Sequence, residues 1–371
     1  MLFPRLGVGV SSSSRGLVRL QSSSLADVRL SGRRVGGAIT IGRRNFVVDA
    51  VDFDIGVDAF RRTAWRLERP LHLKKYHQLG AVIPWFQPEE PESPVGRFRH
   101  RKSAFKGEFG KKDGAVVSYE YMVPPPPPKD SGKKWILEEF LDWLPTQGVR
   151  FSINFAVSTT ELIMQKYMAK PDPWDGKPQF QTFDAAAGLI LGADMFNRRD
   201  NMKSELITNL YIAQTNIDAI SMAAFRNLRV PSLVGSTDKG QIYGHSIWIG
   251  IQPVYTPFHR DPNPNLLCQI FGNKQIRIAA PGDGLDLYEY ISRSMPSSNS
   301  RFRTVEMMDG PERELLHKAV WDKDISSGQI KAADVTLEAG DALFIPRGWW
   351  HSVRSEGRVG MLNGSVNWWF R

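Results

Sequence analysis

Tyr255-Thr-Pro-Phe-His259-Arg-Asp261-Pro-Asn-Pro-Asn265-Leu-Leu-Cys-Gln269-Ile-Phe-Gly272-Asn-Lys274 sets an imidazole and a carboxylate two residues apart in an extended, strand-like run. Side chains two apart on a strand point to one face, so His259 and Asp261 can meet a single metal ion. A further stretch, Gly340-Asp-Ala-Leu-Phe-Ile-Pro-Arg-Gly-Trp-Trp-His351, reads as a strand, a Pro/Gly turn and a third donor. Two histidines and one carboxylate leave coordination positions open, a donor set suited to non-haem Fe(II) that must also bind a co-substrate and O2. Tetrahedral zinc fits less well, because structural zinc sites are closed and usually sulfur-rich. The single cysteine, Cys268, cannot form an internal disulfide and reads as a small apolar strand residue.

Working outward, the second half of the chain is dominated by strand signals. Leu206–Gln214, Ser246–Gln252, Leu266–Ile278, Ala342–Ile345 and Val359–Phe370 are β-prone runs separated by Pro, Gly and Asn/Asp turns. Upstream, Phe151, Ile153, Phe155 and Val157 alternate as in a half-buried strand. Helices are expected over 54–66, over Ile136–Leu144 from its three- and four-residue apolar spacing, and over Glu312–Trp321. Arg69–Lys75 is expected to be extended. This pattern predicts a mainly β fold with flanking helices, closed or built of two sheets, rather than alternating βαβ units.

With those residues in view, the chain resembles the JmjC family of cupin-fold oxygenases, in particular its small protein hydroxylases. Thr256 to Lys274 matches that family's core without a gap, and the resemblance extends over Phe53–Arg371, beginning with Phe60 and Arg69-Pro70-Leu-His-Leu. It implies a double-stranded β-helix (jelly-roll) domain with Fe(II) held by His259, Asp261 and His351, and 2-oxoglutarate and O2 as co-substrates. It further implies that Lys274 pairs with the distal carboxylate of 2-oxoglutarate and that Thr256 and Tyr211 donate hydrogen bonds to the same group. Asn367 is expected at the chelating end, with Asn265 lining the same pocket. His72, His77, His100, His245 and His317 carry no partnered motif and read as structural or surface residues. The family's C-terminal dimerisation helices do not follow Arg371, so a monomer or a different oligomer interface is expected.

Composition narrows the setting. The formal charge is +9, but residues 1–46 hold eight arginines, no lysine and one acid, Asp27, so most of that charge sits in the leader. Rich in Arg, Ser and Gly and lacking an apolar core, residues 1–45 read as a mitochondrial transit peptide, which predicts a matrix location and a nearly neutral mature protein. No run of about 18 apolar residues is present, so no membrane span is expected. Residues 88–134 read as a surface excursion, with Pro124–Pro128 in a polyproline II spacer. Within 97–134 there are ten Lys/Arg against four Asp/Glu, interleaved with Phe98, Phe105 and Phe109, a composition suited to RNA or an acidic partner and equally to a solvated connecting loop.

The expected activity is hydroxylation of a protein side chain by an Fe(II)- and 2-oxoglutarate-dependent dioxygenase, with demethylation less favoured. Two other readings are hydroxylation of a tRNA base, supported by the basic segment alone, and a catalytically silent cupin serving as a structural part of a mitochondrial assembly.

Overall fold

The computed structural model describes residues 46–52, 55–76, 115–146, 176–199, 205–220, 228–237, 239–293, 310–322 and 331–371. The leader, the strand expected at 151–157, and most of the basic run with Phe98, Phe105 and Phe109 lie outside these residues. Among them are thirteen strands: β1 Asp49–Asp52, β2 Leu71–Lys74, β3 Val116–Val123, β4 Gln179–Ala186, β5 Leu210–Thr215, β6 Ile242–Ile251, β7 Tyr255–Arg260, β8 Asn265–Phe271, β9 Asn273–Ala279, β10 Ala333–Leu337, β11 Ala342–Ile345, β12 Trp350–Glu356 and β13 Leu362–Phe370. A nine-stranded sheet runs β1-β2-β11-β8-β13-β6-β5-β3-β4, and a four-stranded sheet runs β10-β9-β12-β7. All pairings are antiparallel except β1 with β2. Two sheets with sequence-distant neighbours are the jelly-roll arrangement that the strand pattern predicts.

Buried and exposed residues alternate clearly in β3 and β10, whereas β8, β11 and β13 are buried nearly throughout. In β3, Val117, Tyr119, Tyr121 and Val123 are buried while Val116 and Ser118 face outward, and the strand pairs on both sides, with β4 and β5. This corrects the reading of 88–134 as wholly a surface excursion, because 116–123 is an interior strand. Counting charge over a long window hid a two-residue period that buries one face. Pro128 does adopt φ −53°, ψ 138°, the polyproline II region, and Pro124 accepts a bond from Trp135 Nε1 at 3.1 Å. The run Leu266–Ile278, read as one strand, is two strands of different sheets, β8 and β9, and the chain bends from one sheet to the other at Gly272, whose φ of 65° costs glycine little. A Cβ there would lie 2.7 Å from Asn363 Nδ2.

Helices cover the outside. They are α1 Val57–Phe60, continued by a π-helical turn over Arg61–Trp65, α2 Ile136–Trp143, α3 Leu189–Asn197, α4 Pro281–Arg293 and α5 Pro311–Trp321, with one-turn pieces at 217–220 and 232–235. In α2, Ile136, Leu137, Phe140 and Leu141 make the buried stripe, as their spacing requires. The helices over 189–197 and 281–293 carried no assignment from sequence. Among the described residues, no helix is long and apolar enough to cross a membrane. His72 Nε2 lies 3.0 Å from Asp341 Oδ2 where β2 meets β11, a structural role as expected, and Cys268 is fully buried in β8.

One helix is fitted tightly to the strand that carries His351. A Cβ built on Gly284 of α4 would fall 2.2 Å from Trp350 Cγ, and Trp350 is buried between Phe258 and Tyr288 with both rings stacked at 5.3 Å. Neither backbone nor indole has room to yield. Gly284→Ala is therefore expected to cost about 1–3 kcal/mol through overpacking, and to lower the melting temperature by several degrees in a thermal scan. An unchanged melting temperature would show that α4 is not seated on Trp350 in solution.

Candidate active site

The three sequence-predicted metal donors converge. His259 lies on β7, Asp261 just beyond its end, and His351 on β12, where the antiparallel register sets His351 directly opposite His259. Their rings are 4.3 Å apart; His259 Nε2 is 3.8 Å from Asp261 Oδ1 and His351 Nε2 is 3.9 Å from Asp261 Oδ2. One donor atom from each lies within 4.8 Å of the others, a group able to hold a metal ion.

Hydrogen bonds around the cluster select the forms a metal needs. His259 Nδ1 sits 2.8 Å from the Pro257 carbonyl, which can only accept, so the proton belongs on Nδ1 and the Nε2 lone pair is left free. Burial, then the neighbouring His259, push His351 down to about 4, so its imidazole is neutral at physiological pH. Burial works against the Asp261 charge, but His351, His259 and bonds from Trp369 and Asn265 outweigh it and hold the carboxyl below its usual range. A neutral imidazole beside an ionised carboxylate is ready for a cation.

The cluster opens into a cavity of about 420 Å³ that also contains every other residue the resemblance singled out: Tyr211, Thr256, Asn265, Lys274 and Asn367. Thr256 and His259 are three residues apart, so strict alternation would place them on opposite faces. A register shift between His351 and Val353 pairs Thr256 with Val353 and His259 with His351. That bulge puts an extra residue on β7 and brings both side chains inward. Lys274 is 2 % exposed; its ammonium donates to Ser365 Oγ and lies 5.9 Å from the Tyr211 ring. Among the described residues no carboxylate lies within ion-pair distance of it, and burial lowers its pKa to about 7. Tyr211 and Thr256, on strands of different sheets, line the same cavity. A buried cation without a counter-charge beside two hydroxyls is a receptor for an anion.

Among the lining residues that sequence reasoning missed are Ser365, Trp369 and Glu120. Ser365 and Trp369 flank Asn367 at two-residue spacing on β13 and share its face, a signal the alternation rule could have supplied. Glu120 was counted among the acids of the supposed surface loop; it stands directly opposite Tyr211 on β3 and lines the cavity. Burial raises it to about 7, against the pull of Arg313.

The profile of the cupin-like domain family matches residues 157–371. The chain is 31% identical over 148 residues to "Jumonji C domain-containing protein 5" of Drosophila melanogaster, covering 39% of this chain and 34% of that protein. It is 32% identical over 116 residues to "Lysine-specific demethylase JMJ30" of Arabidopsis thaliana, covering 31% of this chain and 24% of that one. To "Lysine-specific demethylase 8" of Danio rerio it is 29% identical over 162 residues, 43% of this chain and 36% of the relative. The chain thus spans between 24% and 36% of the length of these relatives. Glu120 lies upstream of the matched segment.

Proposed function

Since the chain belongs to the cupin-like domain family in its JmjC form, we propose that it is an Fe(II)- and 2-oxoglutarate-dependent oxygenase that hydroxylates a protein side chain in the mitochondrial matrix. The observation that carries the proposal is a three-donor cluster and a buried, carboxylate-free lysine facing one cavity. His259, Asp261 and His351 would hold the iron. Lys274, Thr256 and Tyr211 would hold the distal carboxylate of 2-oxoglutarate. With iron and 2-oxoglutarate bound, the chemistry supplied is O2-driven attack on a substrate C–H bond, with 2-oxoglutarate leaving as succinate and CO2. Leu267, Val353 and Trp248 give the cavity apolar wall, which limits water around the bound anion and strengthens its pairing with Lys274.

Glu120 supports a substrate with a positively charged side chain, lysine or arginine. Besides Asp261, which belongs to the donor cluster, it is the one carboxylate among the described residues lining the cavity. Two of the relatives carry the name lysine-specific demethylase; hydroxylation and N-demethylation begin with the same C–H attack. Glu120→Gln keeps the shape and removes the charge. It is expected to lower kcat/KM for lysine- or arginine-containing peptides by about tenfold to 100-fold, the worth of one charged hydrogen bond, while succinate release without peptide is unchanged. Equal kcat/KM for wild type and variant would remove Glu120 from substrate recognition.

The matrix location is supported by the arginine-rich, acid-poor residues 1–45. Amino-terminal sequencing of the native protein tests it, an intact Met1 being the result that overturns it. The test of the activity is anaerobic addition of Fe(II) and 2-oxoglutarate, read as charge-transfer absorbance, followed by succinate release on admitting O2. Well-folded protein that binds neither ligand would overturn the oxygenase and leave a silent structural cupin in its place.

A further inference from the structure

Asp261 does not present two equivalent oxygens. Its Oδ2 accepts from Asn265 Nδ2 at 2.9 Å and from Trp369 Nε1 at 3.0 Å. Both donors come from neighbouring strands of the large sheet, β8 and β13, where Asn265 and Trp369 are directly opposite each other. An ionised carboxylate only accepts, so the Asn265 amide must turn its NH2 toward Asp261 and its Oδ1 away. That Oδ1 accepts from Asn367 Nδ2 at 3.0 Å, which fixes the second amide as well. Asn265 is 1 % exposed and Asn367 6 %, so water does not compete for these bonds. Asn367 Oδ1 is then left buried with no acceptor role filled on the chain. A 2-oxoglutarate carboxylate carries no hydrogen to satisfy it, whereas a metal-bound water does.

We propose that Asn265, Asn367 and Trp369 form a positioning relay that occupies Asp261 Oδ2 and leaves Oδ1 as the single oxygen offered to the metal. The proposal rests on reading the cluster as a metal centre. The resemblance places Asn367 at the chelating end of the co-substrate, but the hydrogen bonds commit one of its amide hydrogens to Asn265, and through Asn265 to the metal-binding carboxylate. The consequence for the centre is geometric. A carboxylate bound through one oxygen uses one coordination position, and a carboxylate free to rotate can take two, closing a position the co-substrates need.

Two variants test the relay from its two ends. Trp369→Phe removes one donor to Oδ2 while keeping an aromatic ring, and Asn367→Leu cuts the relay without touching Asp261. In the purified protein, titration with Co(II) followed by its visible absorption spectrum reads affinity and coordination number, independently of turnover. Each variant is expected to bind Co(II) about 10–100-fold more weakly than wild type, with an altered d–d spectrum, and with unchanged 2-oxoglutarate affinity once Co(II) is saturating. Wild-type Co(II) affinity and spectrum in either folded variant would overturn the relay, most plainly if 2-oxoglutarate affinity fell instead. Failure of the wild type itself to bind Co(II) would overturn the metal reading of the site, and the relay with it.

Discussion

His259→Ala is expected to abolish iron-dependent turnover and to weaken Fe(II) binding at least ~100-fold, more than the loss of an outer hydrogen-bond partner would cause. The reason lies in the donor count. With one imidazole gone, Asp261 and His351 remain as two donors, and His351 is set opposite the vacated position on β7. The imidazole makes one internal side-chain bond, to the Pro257 carbonyl, so its loss strands no buried donor. Melting is therefore expected to stay close to wild type. Asp261→Ala should remove metal binding equally but is a less clean experiment, because it leaves Asn265 Nδ2 and Trp369 Nε1 without their acceptor, at about 1–3 kcal/mol of desolvated polar surface. Metal affinity by anaerobic titration and melting by circular dichroism, measured on both variants, separate the two effects. Equal turnover by wild type and His259→Ala would eliminate the assigned centre.

Lys274→Ala is expected to raise the 2-oxoglutarate concentration needed for half-maximal rate by about 10²–10³-fold, since truncating one partner of a buried ion pair costs several kcal/mol. The pH dependence of the wild type follows from the same lysine. In the free protein its pKa is lowered to about 7, so below that pH the ammonium is already formed and 2-oxoglutarate affinity is flat with respect to this group. Above it, each binding event must protonate the amine, and the apparent dissociation constant should climb by up to roughly tenfold per pH unit. Glu120, raised to about 7, runs the other way toward a cationic substrate, since its carboxylate forms as pH rises. The product of the two populations gives kcat/KM a bell shape centred near 7. Binding of 2-oxoglutarate alone should show only the alkaline limb. A flat profile from pH 6 to 9 in that binding assay would mean that Lys274 carries no charge-dependent contact with the co-substrate.

Within the sequence, His259 and Asp261 were legible as a pair because two-residue spacing is a property of one extended segment and needs no partner. β-prone runs bounded by turn residues located β5, β11 and β13, and the spacing of Ile136, Leu137, Phe140 and Leu141 gave α2. Identification of Lys274, Tyr211, Thr256 and Asn367 came from the resemblance, and the structure puts all four around one cavity. What failed did so where the signal was averaged or relational. Glu120 and the rest of β3 were lost in a window dominated by lysine and arginine, and the Gly272 bend was lost because 266–278 was read as one continuous β-prone run.

The sequence by itself determined a β-rich chain, a donor pair on one face, and the concentration of arginine in residues 1–46. The tertiary structure alone decided three things. The bulge between β7 and β12 turns Thr256 and His259 to the same side although they are three residues apart. The β8–β13 register brings Asn265 and Trp369 onto one oxygen of Asp261. The β3–β5 pairing places Glu120 opposite Tyr211. The physical reason is common to all three: side-chain alternation is fixed by the backbone of a single strand, whereas register and bulges are set by hydrogen bonds between strands that are far apart in the chain.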